Sequence, residues 1–556
     1  MREYGRRRRR VPLVAMAVVA ILVVALAGAA VGFLVLRTHG SPQQTATAYL
    51  RGWERGDYAS MDKVSVGAPA GGLAGPLRAA ATQLGARSTQ LTLGQVTTAG
   101  GSARAPFTAA DRLSDGHVWT YRGLLRLVKR NHRWWVDWSP AAIYPGLRSG
   151  ERFVLDAVWP QRAPVLGADG TDLTSPATVA QSGSLSLLTG TIVRATAAQA
   201  RKLGAPYKAG DVIGQGGIEE AYQARLAGRP SLTIRIEGPG SHAGSTAAHF
   251  PGRPGQPVHT SIVMHDQLAA SRAVSSAATS KNIDLVALQP STGKILAVVE
   301  RPGGFDRALE GTFPPGSTFK VVTGSALVKT GLRPASRVQC PATVTLGGRT
   351  FHNFDNEHFG ATSLLNAFAV SCNTTFAMLA SQRLSGASLA SMARTFGFNS
   401  RPSLGIPATL GKFTTPHQQV DLAADAFGQG TDLVNPLSEA SIAAAIEDGS
   451  WRPPALVTSP APRRSASPRR ISPAILAALR PMMRAVVTQG TASHVGFPPG
   501  VHGKTGTAEY GSGANPPSHA WFMGYRGDLA FAVIVEGGGV GADASGPIAN
   551  AFLRHL

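Results

Sequence analysis

The sequence predicts a multidomain α+β protein whose largest part is an antiparallel sheet flanked by helices. Three observations carry that expectation. Residues 11–36 form an uncharged, almost wholly apolar run that stands apart from the rest of the chain. Residues 42–148 read as helices followed by alternating strands. Residues 259–556 read as a β hairpin, a helical block, further strands and a closing helix. Strands and helices segregated in this way pack as antiparallel sheets with helices on their faces.

A chain of 556 residues with 43 % hydrophobic content can bury several cores. Its formal charge of +22, carried mostly by arginine, favours an anionic partner. No RNA- or DNA-binding motif and no basic helix with interleaved aromatics is present, so nucleic acid is not expected. Lipid headgroups and wall polymers are the anions that remain. The wealth of Arg, Ala and Gly also fits a GC-rich genome, which would explain the charge without any partner. The two cysteines, Cys340 and Cys372, have no metal-ligand spacing around them, and no metal or cofactor is expected.

Taken in order, residues 1–10 carry the arginine run Arg6 to Arg10 and read as a cytoplasmic tail. Residues 11–36 are long enough to span a bilayer with some tilt. A cleaved signal peptide would have a shorter apolar region followed by a small-residue site. The basic flank then places the N-terminus inside and everything beyond Arg37 outside, as a single-pass protein of the cell membrane. Within 42–148, Ala46, Tyr49, Leu50 and Trp53 share one helical face before the Gly56-Asp57 break, and a second helix runs from about Pro76 to Leu84. Strands are expected at Leu91 to Val96 and from Val118 to Trp138, with a hairpin turn at Lys129 to His132. Trp134, Val136 and Trp138 alternate onto one face and read as core. Residues 151–258 are mixed and broken by Gly and Pro, and read as a spacer without chemistry.

From residue 259 the sequence gives a helix at Gln267 to Ala278 and a hairpin of Asp284 to Gln289 with Lys294 to Glu300 around Pro290-Ser291-Thr292-Gly293. The stretch Gly311 to Lys320 then reads as a Pro/Gly turn that ends at a helix start. Ser317 stands at that start, where free N–H groups favour a developing anion. Lys320 lies one turn on, on the same face. A serine hydroxyl needs a base beside it, and a lysine whose pKa is lowered can be that base. Alone, this pair describes an ordinary helix cap beside a solvated lysine. Ser371-Cys372-Asn373 and then Lys504-Thr505-Gly506-Thr507 follow it. Strands at Trp521 to Tyr525 and Leu529 to Glu536 and a helix at Pro547 to Leu556 close the chain.

The three motifs, in that order, resemble those of the serine acyl-transferases of the β-lactamase and penicillin-binding class. The chain is similar to the class B penicillin-binding proteins, the peptidoglycan D,D-transpeptidases. Residues 42–148 resemble the N-terminal domain, similar to nuclear transport factor 2, of some members. Gln161 to Leu173 and the Gly217-Ile218-Glu219 stretch resemble the pedestal or dimerisation module, so 151–258 is expected to be that module and 259–556 the transpeptidase domain. Phe427-Gly428-Gln429-Gly430 with Val434-Asn435-Pro436-Leu437 resembles a further family segment, with Asn435 where threonine is more usual.

The resemblance implies roles. Ser317 is the nucleophile, and Lys320 its base, poised by the charge of Lys504. Ser371 relays a proton to the leaving amine. Asn373 orients Lys320 and the substrate amide. Lys504 and Thr505 bind the substrate carboxylate, with the Thr507 hydroxyl added. Gly506 leaves room for substrate. The backbone N–H groups of Ser317 and Thr507 form an oxyanion hole, worth about 3–4 kcal/mol per donor. The implied partners are stem peptides ending in D-Ala-D-Ala, β-lactams that mimic them, membrane lipid, and a separate glycan polymerase of the SEDS family. No segment resembles a glycosyltransferase. Two rival readings share the fold or the site: a carboxypeptidase or β-lactamase, and a β-lactam receptor without turnover.

On the expected topology Cys340 and Cys372 lie in a compartment that permits disulfides. Either they pair, pinning the Ser371–Asn373 turn, or Cys372 is a buried apolar residue and Cys340 a half-exposed thiol. Pairing is expected, because two free thiols outside the cell are a liability.

Overall fold

The computed structural model describes residues 18, 21–25, 40–238, 244–463, 466–512 and 516–556. The expected tail, 1–10, and most of the apolar run, 11–36, lie outside the described residues. Among the described residues, no helix is long and apolar enough to cross a membrane. The chain divides into two compact units.

The first unit comprises Met1–Pro160, Ala195–Asp211 and Pro230–Arg253. Its helix Pro42–Arg55 starts at a capping box, in which Ser41 and Gln44 satisfy each other's backbone N–H groups. The helix buries the expected face of Ala46, Tyr49 and Leu50, and Gly56 ends it in the left-handed conformation. It packs, with Ala74–Leu84, on a six-stranded sheet. The long strands Ser102–Leu113, Val118–Arg130 and Arg133–Asp137 are antiparallel neighbours. The expected turn is present, with Asn131 and His132 both at positive φ, as a tight hairpin demands. Trp134, Val136 and Trp138 are buried in the core. Strand Ala86–Leu93 replaces the expected Leu91 to Val96.

Strand Ser102–Leu113 has no counterpart among the sequence expectations. Its inward residues are Ala103, Ala105, Phe107, Ala109, Asp111 and Leu113. Alanines and an aspartate give too little hydrophobic contrast for period-2 reading to detect. Asp111 is tolerated inside because Thr89 donates to its Oδ1 at 2.5 Å.

Residues 151–258 contribute to both units. Strands Arg152–Val158, Ser231–Glu237 and Ser245–Phe250 form a three-stranded sheet of the first unit. Gln161–Arg194 and Val212–Arg229 cluster with the second. There the short helix Gly217–Ala221 is held by Arg162, whose Nε donates to Glu219 Oε2 at 2.6 Å.

The second unit also contains Pro254–Leu556. The elements that build its main sheet and the site are α1 (Met264–Ser275), β1 (Ile283–Leu288), β2 (Ile295–Arg301), α2 (Lys320–Lys329), α3 (Asn373–Arg383), α4 (Pro436–Asp448), α5 (Pro473–Thr488), β3 (His502–Glu509), β4 (Ser518–Tyr525), β5 (Ala530–Val535) and α6 (Gly541–His555). The strands form one antiparallel sheet in the order β2-β1-β5-β4-β3. Every residue of β1 and β5 is buried, because α1 and α6 cover one face and α4 packs on the other. Strand β3 is therefore an edge, and the turn Gly316–Phe319 lies against it.

Candidate active site

The serine turn is built by backbone constraints. Gly316 has φ +56°, a conformation L side chains avoid, and a Cβ there would approach the Thr507 carbonyl oxygen to 2.7 Å. Gly316 N–H donates to the Gly428 carbonyl at 3.0 Å, so the Phe427 to Gly430 segment braces the turn. Ser317 leads through a 3₁₀ turn directly into α2.

All three motifs meet here. Lys320 Nζ donates to Ser317 Oγ at 2.8 Å, to the Ser371 carbonyl at 2.7 Å and to Asn373 Oδ1 at 2.6 Å, and lies 3.3 Å from Ser371 Oγ. Ser371 adopts φ +62°, rare for a residue with a side chain. That bend turns both its carbonyl and its hydroxyl toward Lys320. Asn373 opens α3, and its amide also donates to the His352 carbonyl at 3.2 Å. Lys504 Nζ, on β3, donates to Ser371 Oγ and to the Thr505 carbonyl, each at 2.9 Å.

Neither lysine is exposed. Lys320 lies between the rings of Phe376 and Phe427, and Lys504 beside Phe368. Burial pushes the Lys320 amine well below the usual lysine range, and the charge of Lys504 pushes it further. Burial lowers Lys504 to about 7. A neutral Lys320 amine can accept the proton of Ser317.

Above the lysines opens a cleft of about 530 Å³ lined by Ser317, Ser371, Asn373, Thr505 and Thr507. Thr505 Oγ1 is paired with Thr491 Oγ1 at 2.6 Å. Thr507 Oγ1 accepts from Gly541 N–H at 3.3 Å, and Gln429 Nε2 donates to the Thr507 carbonyl at 3.3 Å. Gly506 is also constrained by packing. A Cβ there would stand 2.8 Å from the Pro315 carbonyl oxygen and 3.0 Å from Thr318 Cγ2. The glycine lets β3 close onto the serine turn.

Cys340 and Cys372 form a disulfide, with Cα atoms 6.2 Å apart. Both are buried. Asn353 braces the same region: its amide donates to the Pro341 and Glu357 carbonyls, and its Oδ1 accepts from Thr374 N–H at 3.0 Å.

Sequence reasoning missed Glu439 and Thr318. Glu439, on α4, is fully buried, and Thr318 Oγ1 donates to its Oε1 at 2.9 Å. Burial raises this carboxyl to about 8. Asn435, the departure noted above, caps α4 by accepting from Ser438 N–H at 2.9 Å and donates to the Leu309 carbonyl at 2.8 Å.

Residues 284–555 match the penicillin-binding protein transpeptidase domain, and residues 41–151 the NTF2-like N-terminal transpeptidase domain. The chain thus carries both a penicillin-binding transpeptidase domain and the NTF2-like domain that precedes it in such transpeptidases. Among relatives of this family, the peptidoglycan D,D-transpeptidase PbpA of Mycolicibacterium smegmatis is 33 % identical over 315 residues, which are 47 % of this chain and 63 % of the relative. The chain thus spans less than two thirds of the length of the curated penicillin-binding relatives it matches first. Penicillin-binding protein A of M. tuberculosis, solved as a ceftriaxone acyl-enzyme complex, is 28 % identical with a TM-score of 0.50, covering 54 % of this chain and 80 % of that one. Pseudomonas aeruginosa PBP2, solved with WCK 5153, shares the fold at 24 % identity and a TM-score of 0.60, covering 72 % of this chain and 96 % of that one.

Proposed function

We propose that this penicillin-binding protein is a D,D-transpeptidase that crosslinks peptidoglycan through an acyl-enzyme on Ser317. The observation that carries the reading is the 2.8 Å contact between the Lys320 amine and Ser317 Oγ, at a site where both nearby lysines are buried. Lys320 takes the Ser317 proton as Oγ attacks the penultimate D-Ala carbonyl of a donor stem peptide. The backbone N–H groups of Ser317 and Thr507 receive the oxyanion. The C–N bond breaks, the proton held by Lys320 passes through Ser371 to the departing D-Ala amine, and the donor remains as an ester on Ser317. An amine of a neighbouring stem then attacks that ester, its proton passes through Ser371 to Lys320, and Lys320 returns a proton to the departing Ser317 oxygen, restoring the hydroxyl. Lys504, Thr505 and Thr507 hold the terminal carboxylate, and Asn373 orients Lys320 and the donor amide. A β-lactam enters the same cleft and acylates the same oxygen. Residues 11–36 anchor the chain, with residues 1–10 inside and the catalytic part outside, and a separate SEDS-type polymerase supplies the glycan.

Ser317→Ala tests the nucleophile: covalent labelling by a fluorescent penicillin disappears, and full labelling of the variant would sink the assignment. The reaction itself is read in crosslinked sacculi. Loss of dimer muropeptides on depletion of the protein supports transfer to an amine. Unchanged dimers with altered pentapeptide ends point to the carboxypeptidase alternative.

A further inference from the structure

The sheet of the first unit carries an unusual outward face. Strand Ser102–Leu113 pairs with Val118–Arg130, which pairs with Arg133–Asp137. Their inward residues fill the core, so the alternate residues point out. At those outward positions stand Arg104, Arg112, Arg122, Arg126, Arg130 and Arg133, all exposed, with Asp137 the one carboxylate. Arg104 is directly opposite Arg126, and Arg130 directly opposite Arg133. Like charges placed face to face across strands oppose folding. Among the described residues, Arg104, Arg122, Arg126 and Arg130 make no ion pair that would relieve this. A composition bias scatters arginines over a surface; it does not align them on one face in facing pairs.

The spacing says what the face fits. Arg122, Arg126 and Arg130 follow one another at four-residue steps, about 14 Å apart along the strand. No small anion spans that distance, whereas an extended array of phosphates does. Between the arginines lie Leu124, Val128 and Trp135, with Val118 43 % exposed at the end. The Arg133 guanidinium sits 4.7 Å from the Trp135 ring centroid. Cations interleaved with aliphatic groups and an indole suit the headgroup layer of a bilayer better than a fully hydrated soluble polymer. The first helix of this unit begins at Pro42, and the five residues between it and the apolar run, six peptide steps, reach at most about 20 Å.

We propose that this arginine face is a membrane-contact surface that lies against anionic phospholipid headgroups. The proposal rests on the anchor assigned above to residues 11–36. Each arginine near such a surface adds attraction that salt screens.

Thr108 lies on the same face, opposite Arg122. Among the described residues no cysteine is free, so Thr108→Cys accepts a single environment-sensitive dye without reduction. The full chain is placed in lipid nanodiscs of phosphatidylcholine, with or without phosphatidylglycerol. The expected result is a blue shift only with phosphatidylglycerol, reversed by salt and abolished by Arg104→Glu with Arg122→Glu. Arg104→Glu faces Arg126, so the variant trades a repulsive pair for an attractive one, and its thermal midpoint should hold or rise. Identical emission in the two lipids overturns the proposal, as does a shift that survives the charge reversal. So does a shift produced by soluble polyphosphate but not by phosphatidylglycerol. Failure to enter nanodiscs at all refutes the anchor, and the face is then read by salt-sensitive flotation with phosphatidylglycerol vesicles, whose absence overturns it. Penicillin labelling of the same samples reports separately on Ser317.

Discussion

Lys320 and Lys504 share one acceptor, Ser371 Oγ, at 3.3 and 2.9 Å. Two ammonium groups on one hydroxyl, both out of water, repel each other strongly, and the low dielectric magnifies the effect. That repulsion favours the neutral form of Lys320. Burial is the larger cause of its lowered pKa and Lys504 the second. Removing the Lys504 charge with Lys504→Gln should raise the Lys320 pKa, so the acid limb of the acylation rate moves to higher pH. The measurement is the second-order rate of penicillin acylation across pH. An acid limb that stays in place would show that Lys504 does not tune the base.

Lys320→Ala removes the base itself. The acylation rate should fall by about 10²–10⁴-fold, the range for loss of a general base. Stopped-flow acylation reads the rate, and circular dichroism confirms that the variant is folded. Acylation at the wild-type rate would place the base elsewhere.

Glu439 makes a stability prediction. Its folded pKa is raised from 4.5 to about 8 by burial. The folded state thus holds the proton more tightly than the unfolded state. The contribution is fully present below 4.5 and is lost as pH rises through about 8. One proton contributes a slope of about 1.4 kcal/mol per pH unit across that window. Glu439→Gln keeps the hydrogen bond from Thr318 and removes the titration, so stability should decline less steeply with pH by about that slope. Urea unfolding at several pH values measures it. An unchanged slope would mean that Glu439 is ionised, or hydrated, in the folded protein.

Much of the site was legible because its chemistry is local in sequence. Ser317 and Lys320 are one turn apart, and the cap and turn rules that place them need only neighbouring residues. The Asn131–His132 turn was legible for the same reason. Glu439 was not, since its partner Thr318 is 121 residues away and nothing near it marks an interior carboxyl. Gly506 shows a related case: its close approach to the Pro315 carbonyl is a constraint that sequence cannot bring to it. The strand Ser102–Leu113 was hidden by small inward side chains, whose burial depends on partners elsewhere in the sheet. The sharing of residues 151–258 between two units is a matter of long-range pairing, as of Arg152–Val158 with Ser231–Glu237.

The disulfide couples stability to the site. Cys372 lies between Ser371 and Asn373, both of which accept from the Lys320 amine. Cys340 ends a strand, Arg337–Cys340, paired with Gly360–Ser363. The bridge spans a sequence separation of 32. A loop of that size is worth roughly 3–4 kcal/mol in the chain-entropy model. Thr375 Oγ1 also donates to Cys372 Sγ at 2.9 Å, so the sulfur is fixed at the first turn of α3 as well. Cys340→Ala with Cys372→Ala should lower the stability by an amount of that order. It should also slow acylation, because the Ser371 carbonyl and Asn373 Oδ1 lose the constraint that aims them at Lys320. Asn353 still grips Thr374 N–H in the variant, so the turn is loosened and not abolished. The rate loss should therefore be smaller than that of Lys320→Ala. Denaturant unfolding and acylation kinetics on the double variant measure the two effects. Full wild-type kinetics in a destabilised variant would confine the bridge to a purely structural role.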